Sequence, residues 1–152
     1  MSKIEIQEGK RLKLVNVVVN SLDQIQPAEL DYEINKMLTN INALDIKIKG
    51  PLITYFKGTR VSDSGEIFLD YDILLQTEEL TEINGYQIKQ NYKTEQCLYT
   101  HFSGEAEAFH FAQEKLGIYA WENDVITTGE EYIIYIENDG LYLTADIFRP
   151  LV

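Results

Sequence analysis

Apolar positions along the chain alternate between two periods, and the switches between them mark the elements. Leu12, Leu14, Val15, Val17, Val18 and Val19 form a β-branched run too apolar for an exposed ribbon, which predicts an interior strand over 11–21. Pro27 then fits the first turn of a helix, with Glu29 and Asp31 near the positive end of its dipole. Leu30, Ile34, Met37, Ile41 and Leu44 follow at helical spacing, the stripe of an amphipathic helix lying on a sheet. Gly50-Pro51 ends that region. Strands are predicted over 52–58 and 66–76, with a polar loop at 58–65 and an acidic join at 77–85.

The second half runs through a similar pattern. Residues 86–91 alternate as a short edge strand, and 96–102 read as a strand broken by Ser103-Gly104. A helix with an acidic first turn starts at Glu105, its buried face marked by Ala106, Phe109, Ala112 or Gln113, Leu116 and Ala120, and Gly117 blurs its end. The chain closes on a hairpin: Glu130-Glu131-Tyr132-Ile133-Ile134-Tyr135-Ile136, a turn through Glu137-Asn138-Asp139-Gly140, then a second β-rich run over Leu141 to Val152.

Each half reads strand, helix, strand, strand. Ile53-Thr54-Tyr55-Phe56 is matched by Ile133-Ile134-Tyr135-Ile136, and Gly65 leads to Asp72-Ile73 as Gly140 leads to Asp146-Ile147. The expected fold is α+β, with two tandem β-α-β-β repeats (about 10–76 and 86–152) in a single domain over 1–152. Two such units give an antiparallel sheet with both helices on one face. The other face, or the crease at the pseudo-two-fold axis, is then free to hold a ligand.

Charge narrows the partners. The 152 residues hold 13 basic and 25 acidic groups, a net charge of -12, which repels phosphate backbones and argues against nucleic acid. Residues 1–80 carry 9 basic and 13 acidic groups, whereas 81–152 carry 4 and 12. A cationic small molecule or a basic protein suits the second half better than an anion does. Cys97 is the only cysteine, so neither an intramolecular disulfide nor a cysteine metal cluster is available. Met1 to Lys10 lacks the apolar stretch of a signal peptide, and no run approaches the roughly 20 apolar residues that span a bilayer. The expectation is a cytoplasmic protein without membrane segments, either monomeric or homodimeric.

A set of landmarks runs through the chain in order: Gly50-Pro51 before Tyr55, the Asp70-Tyr71-Asp72 strand, His101-Phe102-Ser103-Gly104 before the second helix, and Trp121 near that helix's end. Tyr135-Ile136 before the last turn and the closing Asp146-Ile147-Phe148-Arg149-Pro150-Leu151 complete the set. In these the chain resembles the gyrase-inhibitor-like, or bacterial effector-binding, superfamily. The resemblance implies a two-repeat α+β fold whose central aromatic cleft takes lipophilic, often cationic, compounds. It also implies a Glu-x-Tyr pair, used by some members to hydrolyse reactive electrophiles. That pair falls on Ile133 and Tyr135, and Ile133 is not a carboxylate. Glu131, two residues earlier on the same strand face, either replaces the missing acid or the acid site is lost.

A carboxylate ringed by aromatics suits an organic cation, through charge, cation–π attraction and apolar contact. The candidate ligand set is Glu131, Ile133, Tyr135, Tyr55, Tyr99 and Trp121. No catalytic residue, metal site or cofactor is assigned. His101 and His110 form no ligand-spaced pair, Cys97 reads as a small core residue, and Asp70 with Asp72 lacks a third oxygen ligand. The function expected is stand-alone binding of a lipophilic, cationic small molecule. The alternatives are an acidic immunity or antitoxin-like protein that neutralises a basic partner and, behind it, a hydrolase using Glu131 as base and Tyr135 as acid.

Overall fold

The computed structural model describes residues 4–152. Eight strands form one antiparallel sheet: β1 (Ile6–Lys10), β2 (Lys13–Ile25), β3 (Leu52–Val61), β4 (Ile67–Gln76), β5 (Gln87–Lys93), β6 (Cys97–Glu105), β7 (Glu131–Asn138) and β8 (Tyr142–Pro150). Their order is β1-β6-β8-β7-β3-β4-β2-β5. Helix α1 (Leu30–Ala43) follows a 3-10 turn at Pro27–Glu29, and α2 (Phe109–Glu122) follows one at Ala106–Ala108.

The two helices, their leading turns and the starts of β3 and β7 recur 79 positions apart. So do finer features. Each helix runs out into a left-handed aspartate, Asp45 at φ 58° and Asp124 at φ 53°, and each following strand is preceded by a left-handed glycine, Gly50 at φ 90° and Gly129 at φ 89°. A register irregularity falls at Phe56–Gly58 in β3 and again at Tyr135–Glu137 in β7. The 79-residue spacing corrects the match made from sequence, which set Ile53 against Ile133, one position too far. Thr54 is the counterpart of Ile133, and these two are paired directly across β3 and β7. They mark the pseudo-two-fold axis.

Both helices pack on one face. Met37 and Ile41 of α1 bury against Val18, Ile73 and Leu75, while Ala112 and Leu116 of α2 bury against Leu98, Ala145 and Ile147. Leu44, expected to continue the α1 stripe, is exposed because the helix ends at Ala43.

The opposite face carries its own core, including Leu14, Val17, Val19, Ile53, Leu74, Tyr99, Tyr132, Ile134 and Phe148. It is closed by an exchange of strands. β1 leads into β2 but pairs with β6, and β5 leads into β6 but pairs with β2. The two connections meet where Leu12 N–H donates to Thr94 Oγ1 (2.9 Å) and Thr94 N–H donates to the Leu12 carbonyl (3.0 Å). Four strands separate β2 from β6 in the sheet. At about 4.8 Å per strand a flat sheet could not bring their beginnings together, so it curls over this second core.

Two local expectations are corrected. Residues 6–10, to which the sequence pattern assigns no element, form edge strand β1, whose pairing is supplied by β6 rather than by any apolar pattern of its own. Ser103-Gly104 does not break β6, because both residues stay in register with Thr144 and Leu143 of β8.

Candidate functional site

β3 and β7 pair at the centre of the sheet, and on the helix side they lie between the strands covered by α1 and those covered by α2. Side chains alternate along a strand, so Leu52, Thr54 and Phe56 point into this crease from β3, and Glu131, Ile133 and Tyr135 from β7. Tyr71 joins them from β4, edge-on to Phe56 with ring centroids 5.4 Å apart. Thr54 is buried on the floor, while Phe56, Tyr71, Ile133 and Tyr135 are half-buried. The crease is therefore aromatic and only partly covered.

Glu131 is its acid, and it is already engaged. Arg149 Nε of β8 donates to Oε2 at 2.8 Å, and Gln113 Nε2 of α2 donates to Oε1 at 2.9 Å. The acid side chain is 13% exposed and the arginine 22%, so the pair is poorly hydrated but within reach of the crease.

Burial pushes the Tyr135 phenol above its usual pKa. The Thr54 hydroxyl beside it works the other way, and the carboxylates of Glu131 and Asp31 add to the rise. Tyr71 is raised by burial first and by Tyr135 and Glu131 after it. Both are therefore neutral phenols at physiological pH, offering hydroxyl donors and π faces.

Three of the six residues chosen from sequence, Glu131, Ile133 and Tyr135, share the crease. Tyr55 and Tyr99 lie on the opposite face, in the second core. There Tyr99, Phe148, Tyr132 and Tyr55 are successive cross-strand neighbours. Tyr55 stacks on Tyr132 at 4.0 Å, and Tyr132 shares a 2.8 Å hydroxyl hydrogen bond with Tyr92. Tyr99 donates to Asp146 at 2.9 Å, and His101 Nδ1 lies 2.7 Å from the same oxygen. Trp121 belongs to neither group: it sits on the outer side of α2, 81% exposed. One pocket cannot hold all six.

The residues missed from sequence are Phe56, Tyr71, Gln113 and Arg149. Phe56 had a signal, since it lies two positions from Thr54 on one strand face; Arg149 had none, because its partner is set by strand order. Among the described residues no cluster of His, Cys, Asp and Glu is arranged to hold a metal. None of their helices is long and apolar enough to cross a membrane. On the helix-free face Asp72 Oδ1 is buried without a well-directed hydrogen bond, yet Lys57 Nζ is 2.8 Å away. That distance makes it an ion-paired oxygen, and no vacancy is implied.

No family model matches the sequence, and no curated protein does so significantly. Solved structures share the fold. The C-terminal domain of EcmrR aligns over 99% of this chain and 97% of its own, with TM-score 0.68 and 12% identity. Against EcmrR in its DNA complex the chain spans 57% of the other protein's length, with TM-score 0.69 and 11% identity. A hydrolase encoded by lin2189 of Listeria innocua aligns over 99% of this chain and 92% of its own, with TM-score 0.54 and 11% identity. SAV2435 bound to tetraphenylphosphonium aligns over 99% and 94%, with TM-score 0.53 and 12% identity. At such identities the likeness is one of fold.

Proposed function

We propose that the chain is a small-molecule binding module that takes a lipophilic, preferably cationic, ligand in the crease between α1 and α2. The observation that carries this is the half-buried set Phe56, Tyr71 and Tyr135 around Glu131, in a fold shared with a protein bound to tetraphenylphosphonium. Half-covered aromatic faces gain by covering, through apolar burial and, for a cation, through the ring quadrupole. Because Arg149 neutralises Glu131, the preference for cations comes from the whole field more than from one acid. Asp31 and Glu131 act at the crease, and the chain as a whole carries -12.

Thermal unfolding with and without tetraphenylphosphonium tests it. Ligand at 100 times its Kd stabilises by about 2.7 kcal/mol. For a chain of this size that raises Tm by about 5–10 °C. The rise should vanish with Tyr135→Ala and survive Trp121→Ala. No rise with this or any other lipophilic cation would overturn the proposal.

A further inference from the structure

The outward face of α2 is apolar where a solvated helix has no need to be. Phe111 is 49% exposed, Ile118 55% and Trp121 81%, and their spacing of seven and three puts them on one stripe. The fold supplies its own control. At the same positions of α1, 79 residues earlier, stand Tyr32, Thr39 and Asn42, all exposed. α1 packs on its half of the sheet with two of these three positions polar, so packing does not require the apolar stripe of α2. A Trp, an Ile and a Phe held in water are instead the residue types that anchor interfaces.

Charge selects the partner. Glu107, Glu114 and Glu122 lie exposed along the same stripe, and none of them is in an ion pair among the described residues. Lys115, the only lysine of the helix, is turned aside to the Ile4 carbonyl at 2.6 Å. A second copy of this chain would set these acids against themselves and add another net charge of -12. An anionic membrane is repelled for the same reason. We infer that this face of α2 docks a basic amphipathic helix of a protein partner, whose apolar side covers Phe111, Ile118 and Trp121 while its Lys or Arg side chains meet Glu107, Glu114 and Glu122. From Glu107 to Glu122 the stripe runs about 22 Å, which a partner helix of about 15 residues matches. The site lies on the side of α2 away from the crease, so it does not depend on small-molecule binding.

Trp121, the only tryptophan, reports on the surface directly. The probe is a synthetic amphipathic helix of Leu and Lys, about 15 residues long, titrated into the full chain. Its Leu/Glu counterpart is the control. Binding of the lysine peptide alone is expected, with a blue shift of Trp121 emission. Phe111→Ser with Ile118→Ser should weaken binding by about tenfold or more, and Glu107→Lys with Glu114→Lys and Glu122→Lys should transfer it to the Leu/Glu peptide. The inference is overturned if the emission does not shift, or if the shift is indifferent to either set of substitutions. It is also overturned if sedimentation shows a dimer that Phe111→Ser with Ile118→Ser returns to monomer.

Discussion

Arg149 Nε stands 2.8 Å from Glu131 Oε2, so the acid at the mouth of the crease is already paired with a cation of its own sheet. Sequence offers Glu131 as a replacement for the missing cleft acid, or leaves the acid site lost, and the structure changes what its mutation should do. Glu131→Gln should alter tetraphenylphosphonium affinity by less than about threefold, because a neutral pair is replaced by a singly charged arginine at the edge of a strongly acidic chain. Arg149→Met should tighten it by about tenfold, the equivalent of about 1.4 kcal/mol, by releasing the acid. Isothermal titration of both variants checks the pair; equal loss of affinity in both would mean that the ligand needs the ion pair intact.

Tyr135 and Tyr55 share a residue type and a strand context but face opposite ways, and their substitutions should separate binding from stability. Tyr135→Ala and Phe56→Ala should weaken ligand binding more than tenfold, since aromatic anchors carry such sites. Tyr132→Ala, on the other face, should cost about 3–5 kcal/mol of folding stability, and Tyr132→Phe about 1 kcal/mol for the lost hydrogen bond to Tyr92. Urea unfolding beside ligand titration distinguishes the two classes. If Tyr55→Ala abolished binding in a stably folded protein, the ligand would belong to the other face.

Alkaline pH should loosen the second core. Burial raises the phenols of Tyr55, Tyr99 and Tyr132, with further contributions from Glu130, Asp146 and Tyr92 respectively. The unfolded chain releases these protons near pH 10 while the folded chain retains them. Stability is therefore intact below about pH 10 and falls as pH rises beyond it. Lys57 adds the same sign: burial pulls its pKa down, but its 2.8 Å ion pair with Asp72 and the other nearby acids outweigh that and raise it. Urea midpoints at a series of alkaline pH values should drop from about pH 10 upward, less steeply in Tyr132→Phe. A flat profile would contradict the burial of these hydroxyls.

The two left-handed glycines should respond to alanine unequally. At Gly129 a Cβ meets open space, so only backbone strain remains, about 1–2 kcal/mol. At Gly50 the same strain is joined by a 3.3 Å approach to Gln76 Nε2. Gly50→Ala should be the more destabilising in thermal unfolding, and equal loss at the two positions would show that the side chain of Gln76 moves aside freely.

The sequence by itself determined the elements and their class. Period-two runs at 52–58, 66–76 and 130–136 became β3, β4 and β7, and the helical stripe from Leu30 became α1, because these patterns depend on local geometry and on which face is buried. The antiparallel sheet with two helices on one face followed from their order. Sequence also put Glu131, Ile133 and Tyr135 on one strand face, through the same period of two.

Only the tertiary structure decided what faces them. The match of Ile53 to Ile133 was one position out, and in a strand one position exchanges the two faces, so Tyr55 was set beside Tyr135 when it lies behind the sheet. Arg149 meets Glu131 because β8 happens to lie beside β7, and β1 exists because β6 offers it an edge. The helix-free face is closed by an exchange of strands between residues far apart in the chain, Leu12 and Thr94, 82 positions apart, among them. Local pattern fixes which way a side chain points along its own strand. Which strand, and which charge, stands opposite is set by long-range pairing that no local period encodes.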